Sequence, residues 1–241
     1  MENSVQSFYD EFTTKQLDAG ISLRNIRIQE WTEKFGLKPT DNVLEIGCGI
    51  GTQTELLARF VSNGQITAVD LSPKSIHYAK ERLKNYPQVS FITGDILTLP
   101  MDRKNQFDVI VLPDVIEHIP LETHFELFSI LSSLLKSEGV IVIHIPNPNF
   151  LAWCIEHKKE ALQIIDQPIY TDVLCSNIYP HNLYIHYLET YEIWQPNYDY
   201  QVIILKSKKS ANHYPEKIYT STFLQKAVYK LKLILGIDPK K

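Results

Sequence analysis

Apolar and polar positions in the middle of the chain fall into two kinds of block, apolar runs of strand length and longer segments of helical period. Residues 43–46 form an apolar run interrupted by Glu45, and they lead straight into Gly47, Gly49 and Gly51. Residues 52–61 then carry a helical pattern. Residues 65–69 alternate into a second strand that ends at Asp70; Ser72 is placed to cap the next helix, with Pro73 in its first turn, and that helix runs to Lys84. A short strand over 89–92 leads to Gly94, Asp95 and Ile96. Residues 107–112 are nearly all apolar, as expected of a central parallel strand buried on both faces, and Pro113 and Asp114 end it. A helix is predicted over 121–135 with Phe125, Phe128, Leu131 and Leu134 or Leu135 along one side, and Gly139 opens a strand over 140–145. This alternation predicts a parallel sheet with right-handed crossovers.

The flanks follow other patterns. Residues 7–35 set Phe8, Phe12, Leu17, Ile21, Leu23, Ile26, Ile28 and Trp31 among polar residues, which predicts one or two amphipathic helices ended by Gly36 and Pro39. After Pro146, residues 149–165 suit a helix, whereas 166–186 read as irregular and rich in aromatic residues. Residues 187–194 and 200–206 predict two strands joined by a turn-rich connection, a hairpin at the sheet edge. Residues 206–217 read as a linker, and 218–237 as a basic amphipathic helix carrying Lys226, Lys230 and Lys232.

Composition sharpens this picture in three ways. A chain of 241 residues, 44% apolar and 22% charged, has material for one large α/β core with additions, which argues against disorder. The net charge of −4 conceals an asymmetry: residues 1–200 hold 15 basic and 26 acidic side chains, a balance of −11, while 201–241 hold 9 and 2, a balance of +7. An acidic core disfavours nucleic acid as a partner, and a basic tail suits an anionic surface. Cys48, Cys154 and Cys175 show neither CxxC nor zinc spacing, and their odd number points to a reducing, cytoplasmic setting. No secretory leader and no membrane-spanning stretch is read from the sequence.

A strand, a glycine turn and a helix in that order make a nucleotide cradle: small residues admit the ligand, and the helix N-terminus offers unpaired N–H groups. Four motifs in register narrow the ligand. Glu45 followed by Gly47, Gly49 and Gly51, Asp70 at the end of the second strand, Gly94-Asp95-Ile96, and residues 108–118 together resemble the class I S-adenosylmethionine-dependent methyltransferases. A dinucleotide-binding protein shares the turn and the acid, but here Thr52 stands at its third glycine position and Glu45 precedes the loop.

The resemblance implies an α/β, doubly wound, mostly parallel seven-stranded sheet with an antiparallel C-terminal hairpin. It also implies a helical cover over 1–39, a methyltransferase domain over 40–206 with an acceptor-side insertion over 146–187, and a separate basic tail over 207–241. S-adenosylmethionine is the implied cofactor. Gly47, Gly49 and Gly51 would let the backbone approach its methionine and ribose portions, Asp70 would accept from the ribose hydroxyls, and Asp95 would bind the adenine amino group between Leu71 and Ile96. Glu45, Cys48 and Pro113 complete the cofactor-binding set, with Tyr9 in a segment resembling one that closes over the cofactor.

Methyl transfer demands mainly alignment, and an oxygen acceptor must also lose a proton. His118, in Asp114-Val115-Ile116-Glu117-His118 after the fourth strand, is the first candidate base, although an anchoring role for the loop is the commoner outcome; His144 near the end of strand five is the second. The spacing of Asp114, Glu117 and His118 resembles a metal site of ubiquinone-biosynthesis O-methyltransferases and plant small-RNA methyltransferases. The shorter Asp114 and the lack of a partner His make a metal there the minority reading. Trp153, Tyr170, Tyr179, His181, Tyr184 and His186 lie in the insertion, where one or two are expected to line the acceptor pocket.

The expected function is methyl transfer to a small molecule, at oxygen. Metal-assisted RNA ribose methylation and a cofactor-binding accessory subunit without turnover are the alternatives. The tail helix reads first as a dimer or self-docking element, with peripheral membrane contact as the competing use.

Overall fold

The computed structural model describes residues 20–100, 104–208 and 223–235, in two compact units that divide after Lys208. Seven strands form one sheet in the order β3-β2-β1-β4-β5-β7-β6. They are β1 (Asn42–Ile46), β2 (Gln65–Asp70), β3 (Val89–Thr93), β4 (Phe107–Pro113), β5 (Leu135–Pro146), β6 (Leu183–Tyr191) and β7 (Tyr200–Ser207). β1 to β5 pair in parallel, and β7 runs antiparallel between β5 and β6.

Side-chain alternation gives the sheet two cores. Leu44, Ile110, Leu112, Ile141, Ile143, Ile203 and Leu205 face α4 (His124–Leu134) and α6 (Thr171–Ile178). Val43, Val109, Val111, Val142, Val202 and Ile204 face α1 (Leu23–Lys34) and α2 (Thr52–Phe60). Because β4 is buried on both sides, its side chains show little alternation in sequence, which is why a plain apolar run marked it. α3 (Pro73–Arg82) starts where Ser72 Oγ accepts from the Ser75 N–H at 3.0 Å, with Pro73 at the first position, as the sequence predicts.

Differences from the expected elements have local causes. The region over 166–186 is not irregular: it contains α6, and β6 starts at Leu183 rather than at 187. Its register slips between Ile185 and Tyr187, leaving His186 as the extra residue of a bulge. Ile185 and Leu188 therefore face the same core three residues apart, which breaks the period-2 signal. β6 ends at Tyr191 rather than 194, because the buried Asp199 carboxylate accepts from the N–H groups of Ile193, Trp194 and Gln195 at 2.7, 2.9 and 3.1 Å and bends the chain into its turn. The helix expected over 149–165 stops at His157 as α5 (Pro148–His157).

α1 packs with polar side chains inward: Asn25, Gln29 and Thr32 are buried, and the Gln53 amide bridges Asn25 and Gln29 at 3.5 and 3.4 Å, tying α1 to the glycine-turn helix. Trp31 and Phe35 meet Tyr187 with ring centroids 5.6 and 4.9 Å apart, so α1 also reaches the edge strand β6.

In the second unit, α7 (Phe223–Ile234) exposes Val228, Leu231 and Ile234, with Lys230 and Lys232 interleaved. Among the described residues no helix is long and apolar enough to cross a membrane.

Candidate active site

The C-terminal edge of the parallel strands gathers most of the candidate residues, as doubly wound sheets do. On one side the chain leaves β1 into the glycine turn. Gly47 has φ +74° and Gly51 φ +81°. A Cβ on Gly47 would stand 2.4 Å from Val115 Cγ2, and one on Gly51 2.6 Å from Leu83 Cδ1, so a side chain at either position clashes besides straining the backbone. The Gly47 and Cys48 N–H groups donate to the Val69 carbonyl at 2.8 and 3.1 Å, which pins the turn to β2. Asp70 completes the cradle, its carboxylate accepting from the Gly49 N–H at 2.7 Å and the Ser72 N–H at 2.9 Å. Asp95 Oδ1 accepts from the Leu97 N–H at 2.9 Å, while Ile96 is buried in the core and Leu71 is half-buried.

Glu45 is the unexplained group on this side. Its side chain is buried, and among the described residues neither carboxyl oxygen has a hydrogen bond of full geometry, the Thr54 hydroxyl giving only partial support. Burial, with the Asp70 charge adding to it and the Thr54 hydroxyl opposing it in part, pushes the carboxyl up to about 8. A buried polar group left unpaired costs about 1–3 kcal/mol, so the site is unsatisfied as it stands and suits a ligand carrying a cationic donor. Cys48 beside it is buried, its thiol pushed well up by burial and by the Asp70 and Glu45 charges, and so is no nucleophile.

On the other side β4 ends in Pro113, and Asp114 takes the left-handed conformation at φ +54°. Asp114 Oδ1 accepts from His144 Nδ1 at 2.9 Å, and Oδ2 pairs with an Arg24 guanidinium nitrogen at 2.6 Å. Burial would raise this carboxyl, but Arg24 and His144 outweigh it and hold it below its ordinary range. His144 is fully buried on the α1 face, its ring stacked on Tyr200 with centroids 4.9 Å apart and tilted against Tyr191 at 5.9 Å. Among the described residues its Nε2 has no partner, whereas the Trp31 indole N–H supports the Tyr191 hydroxyl. Glu117 is also buried with both oxygens unpartnered, and burial together with the Asp114 charge raises it well above the carboxylate range.

His118 is engaged differently. Nδ1 donates to the Ile165 carbonyl at 2.7 Å, and Nε2 accepts from the Gln163 amide at 3.0 Å. Gln167 adds a bond from its amide to the Ile119 carbonyl at 3.0 Å and accepts from the Leu121 N–H at 3.3 Å. His118 thus fastens residues 163–167 across the loop after β4. Of the residues in the minority metal reading, Asp114 turns to Arg24 and His144 and His118 turns to the strap in this structure.

The insertion residues scatter. β6 begins opposite Ser207 and ends opposite Tyr200, which pairs with Pro146, so Tyr179, His181 and Tyr184 lie toward the edge remote from the glycine turn. His181 packs there on Phe125, centroids 4.3 Å apart. Trp153 stacks on His157 and is half exposed, as is Tyr170 at the start of α6. Tyr9 lies outside the described residues. The sequence reading missed Arg24, Tyr191 and Tyr200; the one local signal is that both tyrosines stand at the ends of the two C-terminal strands.

Comparison with known proteins fits this geometry. The Methyltransferase domain family matches residues 37–209. The chain is 36% identical over 119 residues to a 2-phytyl-1,4-naphtoquinone methyltransferase of Nostoc sp., covering 45% of this chain and 50% of that protein. It is 29% identical over 123 residues to a ubiquinone biosynthesis O-methyltransferase of Xanthomonas campestris, covering 51% and 49%. A solved S-adenosylmethionine-dependent methyltransferase of Clostridium acetobutylicum superposes with a TM-score of 0.64 at 16% identity, over 83% of this chain and 97% of that one. The match spans about half the length of these curated relatives.

A seven-stranded sheet with β7 reversed and a glycine turn after β1 defines a Rossmann-like methyltransferase fold. The chain belongs to the class I S-adenosylmethionine-dependent methyltransferases, whose cofactor is S-adenosylmethionine. The residues fit that group: Gly47, Gly49 and Gly51 hold positive φ in the turn after β1, and the buried Glu45 carboxyl suits its ammonium.

Proposed function

We propose that this protein transfers a methyl group from S-adenosylmethionine to a small-molecule acceptor, at oxygen. The observation that carries the cofactor half is Glu45, buried and without a full-geometry hydrogen bond among the described residues, beside a turn of three positive-φ glycines. When bound, the cofactor supplies a methyl carbon already activated by the sulfonium, so the protein has to align the acceptor behind it.

In this reading Gly47, Gly49 and Gly51 let the backbone close on the ligand, and Glu45 takes its ammonium. Asp70 accepts from the ribose hydroxyls, and Asp95 accepts from the adenine amino group. Leu71 and the edge of Ile96 flank the ring, with Cys48 and Pro113 backing the cradle. A small acceptor is supported by the balance of −11 over residues 1–200, which opposes a polyanion, and by relatives named for quinone substrates. A cytoplasmic site of action fits the free cysteines.

The tail helix, with exposed Val228, Leu231 and Ile234 beside Lys230 and Lys232, is the candidate surface for an anionic bilayer or a second copy of the chain. Co-sedimentation of the K230E/K232E variant with phosphatidylserine vesicles, alongside sedimentation equilibrium, separates the two uses.

The central test is calorimetric titration with S-adenosylhomocysteine, followed by transfer of labelled methyl from S-adenosylmethionine to phenols, catechols and carboxylic acids, read by mass spectrometry. Binding with O-methyl product supports the reading. Absence of binding overturns it, and transfer that requires an added second protein favours the accessory-subunit alternative.

A further inference from the structure

The loop after β4 presses on the glycine turn, since Val115 Cγ2 fills the space where a Gly47 side chain would stand. Asp114, one residue before Val115, holds His144 through Nδ1 at 2.9 Å. Because the carboxylate accepts, Nδ1 carries the proton and Nε2 presents a lone pair. That lone pair is dry and unpartnered. His118 offers no equivalent, both of its ring nitrogens being used by Ile165 and Gln163.

We infer that His144, oriented by Asp114, is the general base that takes the proton of an acceptor hydroxyl, and that the acceptor is an aromatic alcohol lodged among Tyr191, Tyr200 and Arg24. This rests on the methyl-transfer reading above. Side-chain exposure falls from 38% at Arg24 to 10% at Asp114 and 0% at His144, so the base lies at the buried end of this row. The groups facing it are Arg24 from α1, Asp114 and Glu117 from the loop after β4, Tyr191 from β6 and Tyr200 from β7. The rings of Tyr191 and Tyr200, which pack on His144, make an aromatic wall that matches a flat acceptor.

In the step, the acceptor O–H proton passes to His144 Nε2 while the oxygen lone pair forms the new bond to the methyl carbon. The carbon–sulfur bond breaks with its electron pair remaining on sulfur, and the imidazolium, stabilised by Asp114, later releases its proton to solvent.

4-Nitrophenol, added to the full chain saturated with S-adenosylhomocysteine, tests this by absorbance. In the wild type the phenolate band of the bound probe should appear at least about one pH unit below its position in solution. His144→Gln should remove that shift while S-adenosylhomocysteine affinity changes less than about threefold, a small effect on the scale where tenfold is 1.4 kcal/mol. Asp114→Asn should reduce the shift and serves as the second variant if His144→Gln fails to fold. His118→Gln should retain it. A shift that survives in His144→Gln, one lost in His118→Gln, or a wild type that binds S-adenosylhomocysteine and shows none overturns the assignment. Failure of S-adenosylhomocysteine to bind overturns instead the methyl-transfer reading on which it rests.

Discussion

The two sides of the sheet's C-terminal edge are built on opposite plans. The glycine-turn side is drawn from β1, β2 and the turn after β3, and its contacts run between neighbouring strand ends: Gly47 and Cys48 to Val69, Gly49 and Ser72 to Asp70. The side after β4 draws on α1, β4, β5, β6 and β7, joining Arg24, Asp114, His144, Tyr191 and Tyr200 from points spread across most of the core. A cradle made of backbone donors recognises one ligand and needs little from the rest of the fold. A cluster of side chains drawn from several distant segments can be altered piece by piece.

The contrast predicts unequal damage. Gly47→Val adds a branched side chain at φ +74° against Val115, and it should abolish S-adenosylhomocysteine binding while costing about 2–4 kcal/mol of stability in urea titration. Retained binding would remove the need for an open backbone at the turn. Next, Asp70→Ala should weaken S-adenosylhomocysteine at least about tenfold by calorimetry, with about 1.5–3 kcal/mol of stability lost through the freed Gly49 and Ser72 N–H groups.

Arg24→Met should act on stability and leave cofactor affinity nearly intact. It strands a mostly buried Asp114, but Arg24 is itself partly in solvent, which limits the loss to about 1–2 kcal/mol near neutral pH. The sign follows from the lowered Asp114 carboxyl: its stabilisation is full above the ordinary carboxylate range near pH 4 and fades as pH falls through the lower folded value. Unfolding curves of Arg24→Met and wild type should therefore converge in acid. Curves that stay parallel would mean the ion pair contributes nothing.

The effect of Glu45 is on the pH dependence. With its carboxyl at about 8 when folded and near 4.3 when unfolded, the folded chain holds a proton that the unfolded chain has released, so stability falls as pH rises between these values. Glu45→Gln should flatten that slope. If the carboxyl ionises against a cationic ligand, S-adenosylhomocysteine binding at pH 7 should release about one proton, seen as a dependence of binding enthalpy on buffer. No such dependence would separate Glu45 from the ligand's ammonium.

Legibility followed the same divide. β1, β2 and β4 could be read from their apolar runs because buried parallel strands need them, and the turn could be read because Gly47, Gly49 and Gly51 sit together. β6 was read short because the bulge at His186 shifts its facing pattern midway, and α6 was lost in the aromatic-rich stretch before it. His144 was visible as a residue at the end of an apolar strand, but nothing near it in sequence showed that Asp114 would orient it or that Tyr200 would cover it.

The sequence alone determined the sheet's parallel core and the position of the glycine turn, since period, chain reversal and backbone freedom are properties of neighbouring residues. Tertiary structure decided which histidine has an open nitrogen, which carboxyls hold protons, and which insertion residues reach the working edge. Those outcomes depend on burial and on charges brought together from distant segments, and a segment's own sequence carries no record of what will pack against it.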